Sequence, residues 1–258
     1  ITGLGYGFTE GDGVKRKLIQ QLMIILYRKG LKNSESIIFQ NPDDEKLFYK
    51  LKIIFRNMSS HIVHGSGVDL NLYPFSPLPK KPIFLMLARL LIDKGVREYA
   101  EAARIVKAQF PKAIFQLAGR LDSNPSTISS NELNFWINEG FIKYLGEISS
   151  VQKSLASCRF YVLPSYREGT PRSVLEAMAT GRPVITTDTP GCRETVIHGK
   201  NGLLVPSKNA KSLANAMIQL LEETEDKIQS MGRESFILAK DKYAVERVNK
   251  NIINILNL

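Results

Sequence analysis

Residues 159–188, RFYVLPSYREGTPRSVLEAMATGRPVITTD, decide how the chain folds. RFYVLPS opens with a continuous apolar run, as a strand buried on both faces does. YREGTP is a turn. PRSVLEAMATG carries helical spacing of its apolar residues, and PVITT is a second apolar run. A strand, a helix and a strand in so few residues make a parallel crossover unit.

The same rhythm extends in both directions. IFLMLA (83–88) reads as a buried strand, KGVREYAEAARIVKAQF (94–110) as a helix and AIFQLAG (113–119) as a strand. SNELNFWINEG (130–140) is a helix, FIKYLG a strand and SSVQKSLASC a short helix. After PVITT come a short strand, GLLVP, and helices near 209–222 and 224–240. The sequence therefore predicts a doubly wound α/β domain over 83–240, whose ligands sit at the carboxyl ends of the strands.

Upstream, YPFSPLPKKP (73–82) holds four prolines in ten residues, which excludes helix and central strand and reads as an extended linker. Before it, SIIFQN and SHIVHG look like strands around a helix at 42–56, and residues 14–32 like a further helix. Residues 1–72 are thus part of a second α/β unit too small to be complete. ITGLGYGF reads as mid-domain sequence, so an N-terminal piece is expected upstream. The last segment, 241–258, is an amphipathic helix expected to pack back on the N-terminal part.

Composition narrows the function. The 258 residues carry 35 basic and 25 acidic side chains, a net charge of +10, which favours anionic partners. No zinc-finger, RRM-like or basic-zipper pattern accompanies that charge, so nucleic acid is not the expected partner. Cys158 and Cys192 have no metal-type spacing and suit a reducing compartment. No apolar run is long enough to span a bilayer.

Polar residues gather at the strand ends: Ala88-Arg89 with Asp93-Lys94-Gly95, Gly119 to Asp122, Pro164 to Gly169, and Thr186 to Gly191. Thr170 is a natural N-cap and Pro171 a natural first helical residue. Gly169 lets backbone approach a ligand. The helix start from Gly169 to Ser173 makes an anion site, with a dipole contribution of about 0.3–2 kcal/mol. Arg89 and Lys94 would add two cations, which together suit a diphosphate.

Glu176 shares a helix face with Arg172, Ser173 and Thr180, and its two oxygens can accept from two vicinal hydroxyls such as a ribose diol. Glu168, in the turn, would serve sugar hydroxyls. Plainer readings stand beside these. Arg172 and Glu176 also make an ordinary (i, i+4) surface pair. Arg89 and Lys94 also read as solvated loop charges. His61, His64 and His198 lack a nucleophile pattern and read as structural. GLGYG (3–7) reads as a turn, and Cys192 as an unpaired thiol.

The combination E-G-T-P-R-S-V-L-E, two glutamates separated by seven residues, resembles the signature of glycosyltransferase family 4. The resemblance continues through LPSYREGTPRSVLEAMATGRPVITTDTPGCRETVIHGKNGLLVP, FLMLARLLIDKGVREY, HGSGVD, ITGLGYGFTE and FQNPDD. It implies a retaining enzyme of the GT-B fold, with 1–72 a remnant of the acceptor-side domain and 83–240 the donor domain. Arg89 and Lys94 would bind the donor diphosphate. Glu168 would contact the donor sugar, with Gly169, Thr170 and Pro171 lining its site, and Glu176 would hold the ribose. No catalytic metal or other cofactor is implied. The donor would be a nucleotide-sugar, UDP-linked hexose or N-acetylhexosamine, and the acceptor a lipid-linked or other glycan for surface polysaccharide or glycoprotein assembly. Residues 14–32 carry Lys15, Arg16, Lys17, Arg28, Lys29 and Lys32 around an apolar middle, Leu18 to Tyr27, which suits a helix lying on an anionic membrane surface, or a helix packed on its own sheet with solvated ends. The enzyme would be cytoplasmic and peripheral on the inner face of the plasma membrane. A nucleotide-sugar-binding piece without turnover and a GT-B sugar-nucleotide epimerase stay open.

Overall fold

The computed structural model describes residues 1–4, 8, 14–122, 124 and 126–256, and the side chains of Val14 and Lys15 lie outside that description. Its main sheet has six parallel strands: β3 (Ile83–Leu87), β4 (Ile114–Ala118), β5 (Lys143–Gly146), β6 (Phe160–Leu163), β7 (Val184–Thr187) and β8 (Gly202–Val205). Their spatial order is β5-β4-β3-β6-β7-β8. Every residue of β3, β6 and β7 is buried, which accounts for their unbroken apolar sequences.

Helices cover both faces. α3 (Val96–Gln109) packs on α7 (Ala210–Glu222), and α6 (Arg172–Ala179) packs on α8 (Glu225–Tyr243). The shorter α4 (Ser130–Asn138) begins at a capping box between Ser129 and Glu132, and α5 is Val151–Ser157. Phe84 stacks between Phe115 and Phe160 at the centre of the sheet. The chain winds outward one way through β3, β4 and β5, then returns to build β6, β7 and β8 the other way. The direction reverses between β3 and β6. That reversal opens a crevice at their carboxyl ends, where ligands of such sheets bind.

The N-terminal part pairs β1 (Ile37–Phe39) with β2 (Ser60–Ile62) in parallel, flanked by α1 (Val14–Leu31) and α2 (Pro42–Lys50). It has its own core, in which Phe39 and Tyr27 meet Phe48 edge-on at 5.0 Å between ring centres. The helix expected over 42–56 ends at Lys50. Lys52 takes a left-handed φ of 52°, and the amides of Ile53 and Ile54 turn back onto the Phe48 carbonyl. At the other end, α9 (Val245–Leu256) follows α8 after a break at Ala244. Val68 is sewn to this break by bonds to the Tyr243 carbonyl (2.8 Å) and from the Val245 amide (3.0 Å), and α9 packs on α8.

The proline-rich segment does not hang free between the two parts. It lies on the main domain, fixed by Arg182. That guanidinium is fully buried and donates to the carbonyls of Cys158 (2.8 Å) and Thr180 (2.9 Å), to the Ser76 hydroxyl (2.8 Å) and to the Ser76 carbonyl. Burial pulls its pKa below the ordinary arginine value. A buried cation held by neutral acceptors alone is stable only while every donor is matched. Arg182→Ala, which strips donors from the carbonyls of Cys158, Thr180, Ser76 and Pro77, is expected to cost about 3–5 kcal/mol in denaturant unfolding, since each buried acceptor left unpaired costs about 1–3 kcal/mol. A cost under about 1 kcal/mol would contradict the anchoring role.

Candidate functional site

The crevice between β3 and β6 is closed at its base by two loops. The β3 loop turns through Ile92–Lys94 and leaves by Gly95 at φ 74°, where a Cβ would stand 2.2 Å from the Pro164 carbonyl. Only glycine permits that approach. The Tyr166 amide then donates to the Asp93 carbonyl at 2.9 Å, so the two loops are tied together. The result places Lys94 Nζ 2.6 Å from Glu168 Oε1, which also accepts from Ser165 Oγ at 2.8 Å.

Glu168 precedes α6. Thr170 was the expected N-cap, but the helix starts one residue later: Pro171 caps it with extended backbone and no side-chain bond. The Thr170 hydroxyl donates to the Gln40 carbonyl instead, at 3.2 Å. Thr170 is thus drawn into the N-terminal part, and the N-cap Pro171 offers the first turn of α6, Arg172 and Ser173 included, no side-chain bond. That turn carries the positive end of the helix.

Glu176 lies one turn on and is buried, at 7% exposure. Its partner Arg172 donates Nε at 3.0 Å, yet that arginine side chain is 70% exposed. The plain surface-pair reading fits Arg172 only. Burial raises the pKa of Glu176 above the ordinary carboxylate range, opposed by the neighbouring Tyr73 hydroxyl and Arg172 guanidinium. Tyr73 belongs to the linker and had no place in the expected site.

Arg89 is 55% exposed and pairs with Asp122 at 3.2 Å. Together with Gly119, Glu147, Ile148 and Val151 it lines a cleft of about 240 Å³ at the ends of β3, β4 and β5. The β5 end was absent from the expected strand-end set, although the rule that selected the others applies to KYLGEIS equally. A hollow of about 560 Å³ beside His198 and Pro206 is larger, but no lysine or arginine lines it to meet a phosphate.

The N-terminal part reaches the same loops. Asn41 caps α2 through the Asp44 amide (2.8 Å) and donates Nδ2 to the Gly169 carbonyl at 2.9 Å. Arg167 pairs with the fully buried Asp44, and Arg193 with Asp43 (2.9 Å) and Asp188 (2.8 Å). A Cβ on Gly169 would stand 2.2 Å from the Thr2 carbonyl, so the close approach its glycine allows is to the chain's own N-terminal segment. The contacts of Thr2, Asn41, Asp43 and Asp44 with the loops of the main domain join residues more than a hundred positions apart, and no local pattern announces them.

The histidines are engaged structurally: His61 Nε2 with Ser59 Oγ (2.9 Å), His198 Nδ1 from the Leu204 amide (3.0 Å), and His64 edge-on to Tyr243. Both cysteines are buried and free, and burial pushes the Cys192 thiol up to about 11. Of the glycine-rich GLGYG, residues 5–7 lie outside the described residues.

The profile of the family described as glycosyl transferases group 1 matches residues 81–223. Among curated relatives, the chain is 36% identical, over 86% of its length and 60% of the relative's, to an N,N'-diacetylbacillosaminyl-diphospho-undecaprenol alpha-1,3-N-acetylgalactosaminyltransferase of Campylobacter jejuni. It is 27% identical, over 87% of its length and 59% of the relative's, to a UDP-Gal:alpha-D-GlcNAc-diphosphoundecaprenol alpha-1,3-galactosyltransferase of Escherichia coli. The chain thus spans about 60% of the length of these relatives. Among solved structures it resembles sucrose-phosphate synthase of Thermosynechococcus elongatus (TM-score 0.78, 23% identity, 92% of this chain, 61% of that one). It also resembles HepE of Anabaena, in complex with UDP-glucose (TM-score 0.79, 22% identity, 92% of this chain, 68% of that one). At these identities the structural likeness speaks for the fold, which is GT-B. The family match and the 36% relative, whose alignment covers 86% of this chain, speak for more: the chain belongs to the group 1 glycosyltransferases.

Proposed function

We propose that the chain is the donor-binding part of a retaining glycosyltransferase of family 4, moving a sugar from a nucleotide-diphosphate sugar to a lipid-linked glycan acceptor. The observation that carries this is the arrangement on α6. A carboxylate, Glu168, stands before its positive end with Lys94 beside it, and a second, buried carboxylate, Glu176, follows within the helix. The relatives' names support a diphosphate-linked lipid acceptor and, in one case, a UDP donor, here carrying a hexose or N-acetylhexosamine. In this reading residues 83–240 form the donor domain, 1–72 a piece of the acceptor-side domain, 73–82 the linker and 241–258 the C-terminal segment that carries α9 (Val245–Leu256).

The reading assigns each group a task. The diphosphate lies over the first turn of α6 and takes Lys94 from Glu168. Glu168 is then released toward the sugar hydroxyls, and Glu176 receives the ribose diol. The base takes the cleft beside Arg89 and Ile148. The bond from the anomeric carbon to the diphosphate oxygen breaks with its electron pair going to the diphosphate. The acceptor oxygen bonds to the same face of that carbon, and the leaving diphosphate takes the acceptor's proton. The protein's contribution is positioning and charge stabilisation, with no metal and no enzyme nucleophile.

Membrane docking belongs to the same proposal, with the enzyme peripheral on the inner face of the plasma membrane. α1 turns Leu18, Leu22, Ile25 and Leu26 outward, each at least 49% exposed, at helical spacings that share one side. Lys17, Lys29 and Lys32 are exposed near its ends, whereas Arg28 is turned onto the carbonyls of Leu51 (2.7 Å) and Lys52 (2.8 Å). Among the described residues no helix is long and apolar enough to cross a membrane. An interfacial helix suits these features.

Lys94→Ala is expected to weaken nucleoside-diphosphate binding by about 1.5–3 kcal/mol, and the exposed Arg89→Ala by about 0.2–1 kcal/mol. Calorimetry on the double variant that finds unchanged affinity would sink the diphosphate site. The full-length protein, given labelled nucleotide-sugar and a lipid-diphosphate glycan, should move label to lipid. Label in an epimeric nucleotide-sugar would mark an epimerase, and binding without product a carrier. Nucleotide binding should also weaken on acidification. Because the pKa of Glu176 is raised, the loss begins above the ordinary glutamate value of about 4.3, as the carboxylate protonates. Glu176→Gln should remove that step; a pH profile it leaves intact would reassign the titration. Sedimentation with anionic vesicles should exceed that with neutral ones, and fall when Lys15, Arg16 and Lys17 become Gln. Equal sedimentation with both would refute the membrane role.

A further inference from the structure

Glu168 Oε1 receives donors from two loops: Lys94 Nζ at 2.6 Å and Ser165 Oγ at 2.8 Å. The proposed reaction uses the first and gives the second no task. Both bonds end on the same oxygen, and among the described residues no donor is bonded to Oε2. Ser165 follows β6, is fully buried and is braced from β7. Its carbonyl accepts from the Thr187 hydroxyl and, at 3.3 Å, from that of Thr189; the two threonine hydroxyls are themselves 2.9 Å apart. The loop after β7 seats Glu168 as well. The Glu168 amide donates to the Pro190 carbonyl at 3.0 Å. A Cβ on Gly191, at φ 81°, would stand 2.2 Å from the Glu168 carbonyl oxygen. The backbones of Ser165 and Glu168 are therefore both fixed from the β7 side.

Packing alone does not account for a hydroxyl at position 165. Alanine would fill nearly the same space without burying a polar group, which costs free energy unless it is bonded. A serine in a turn commonly bonds a nearby backbone group. Here its hydroxyl is bonded to a side chain, the Glu168 carboxylate. The brace from Thr187 and Thr189 uses only the Ser165 backbone, which any residue supplies. The hydroxyl itself therefore serves Glu168. In the proposed reaction Lys94 turns to the diphosphate, and Ser165 is then the remaining protein donor on Oε1. A carboxylate has about four acceptor directions, so a donor on one oxygen leaves the other open to a sugar hydroxyl.

We propose that Ser165 is a positioning residue: its hydroxyl keeps Glu168 Oε1 in place when Lys94 leaves, so that Oε2 faces the donor sugar. This rests on the reading of Glu168 as the carboxylate that contacts that sugar. It adds a division of labour between the two donors. Lys94 holds Glu168 while the site is empty, and Ser165 holds it while the site is filled.

Calorimetry that compares UDP with a nucleotide-sugar tests this, on the chain and on its Ser165→Ala, Glu168→Ala and double variants. The nucleotide-sugar is the tighter-binding of UDP-galactose and UDP-N-acetylgalactosamine. Ser165→Ala is expected to weaken the nucleotide-sugar roughly five- to tenfold and to leave UDP unchanged. In the Glu168→Ala background it should add no further loss. Should Ser165→Ala not fold, Ser165→Cys replaces it, since a thiol of similar shape is a weak donor. Equal loss on both ligands marks a residue that only packs, and no loss on either marks an idle hydroxyl. Each result overturns the proposal while the reading of Glu168 survives. If Glu168→Ala shifts both ligands alike, the reading of Glu168 fails first and the proposal falls with it. A ligand-free arm decides if no nucleotide binds. In crystal structures, Lys94→Ala, which imitates the departure of the lysine, should keep Glu168 Oε1 on Ser165. Adding Ser165→Ala should release the carboxylate from that place, and a carboxylate unmoved in the double variant would overturn the proposal.

Discussion

The site depends on the fastening of the β3 loop to the β6 loop. Sheet topology brings these loops side by side, because the winding reverses between the two strands. Gly95 and the bond from Tyr166 to the Asp93 carbonyl then lock them together. Lys94 and Glu168 are 74 residues apart in sequence and 2.6 Å apart in space for that reason alone. A side chain at position 95 would have to push Pro164 away. The cation, the carboxylate and the open start of α6 would then no longer address one point.

Around that point the chain arranges charge in two grades. Lys94–Glu168 is partly buried, with side-chain exposures of 20% and 15%, and is positioned to exchange partners with an anion. Arg167–Asp44 and Arg193–Asp43 join the N-terminal part to the loops of the main domain. Asp44 is fully buried and also accepts from Asn41 Nδ2 at 3.1 Å, so removing Arg167 alone would strand a buried carboxylate. These pairs hold residues 40–44 over Gly169, where the N-terminal part can shape whatever occupies the crevice.

Much of this was legible in the sequence, and the reasons differ by residue. β3, β6 and β7 were legible because burial on both faces leaves no polar position, a pattern that two-sided cover imposes. The meeting of Lys94 with Glu168 was legible because strand ends in such sheets point to one edge, and α6 begins at that edge. The cap of α6 was read one residue early, since Thr170 has a tertiary partner, Gln40, that outweighs its local preference. The early end of α2 turned on the left-handed conformation of Lys52, for which lysine gives no signal. The role of Arg182 was invisible, because it acts only where the linker lies on the main domain, and proline content speaks of stiffness without saying what the stiff segment rests on.

The central claim is that the start of α6 is a diphosphate clamp between Lys94 and the ribose carboxylate. A crystal structure of the chain grown with UDP tests it most directly. The account predicts the diphosphate over the first turn of α6 within hydrogen-bonding reach of Lys94 Nζ, the ribose hydroxyls on Glu176, and Glu168 freed from Lys94. A nucleotide bound elsewhere, or one bound here with the Lys94–Glu168 pair intact and Glu176 touching no hydroxyl, would contradict it.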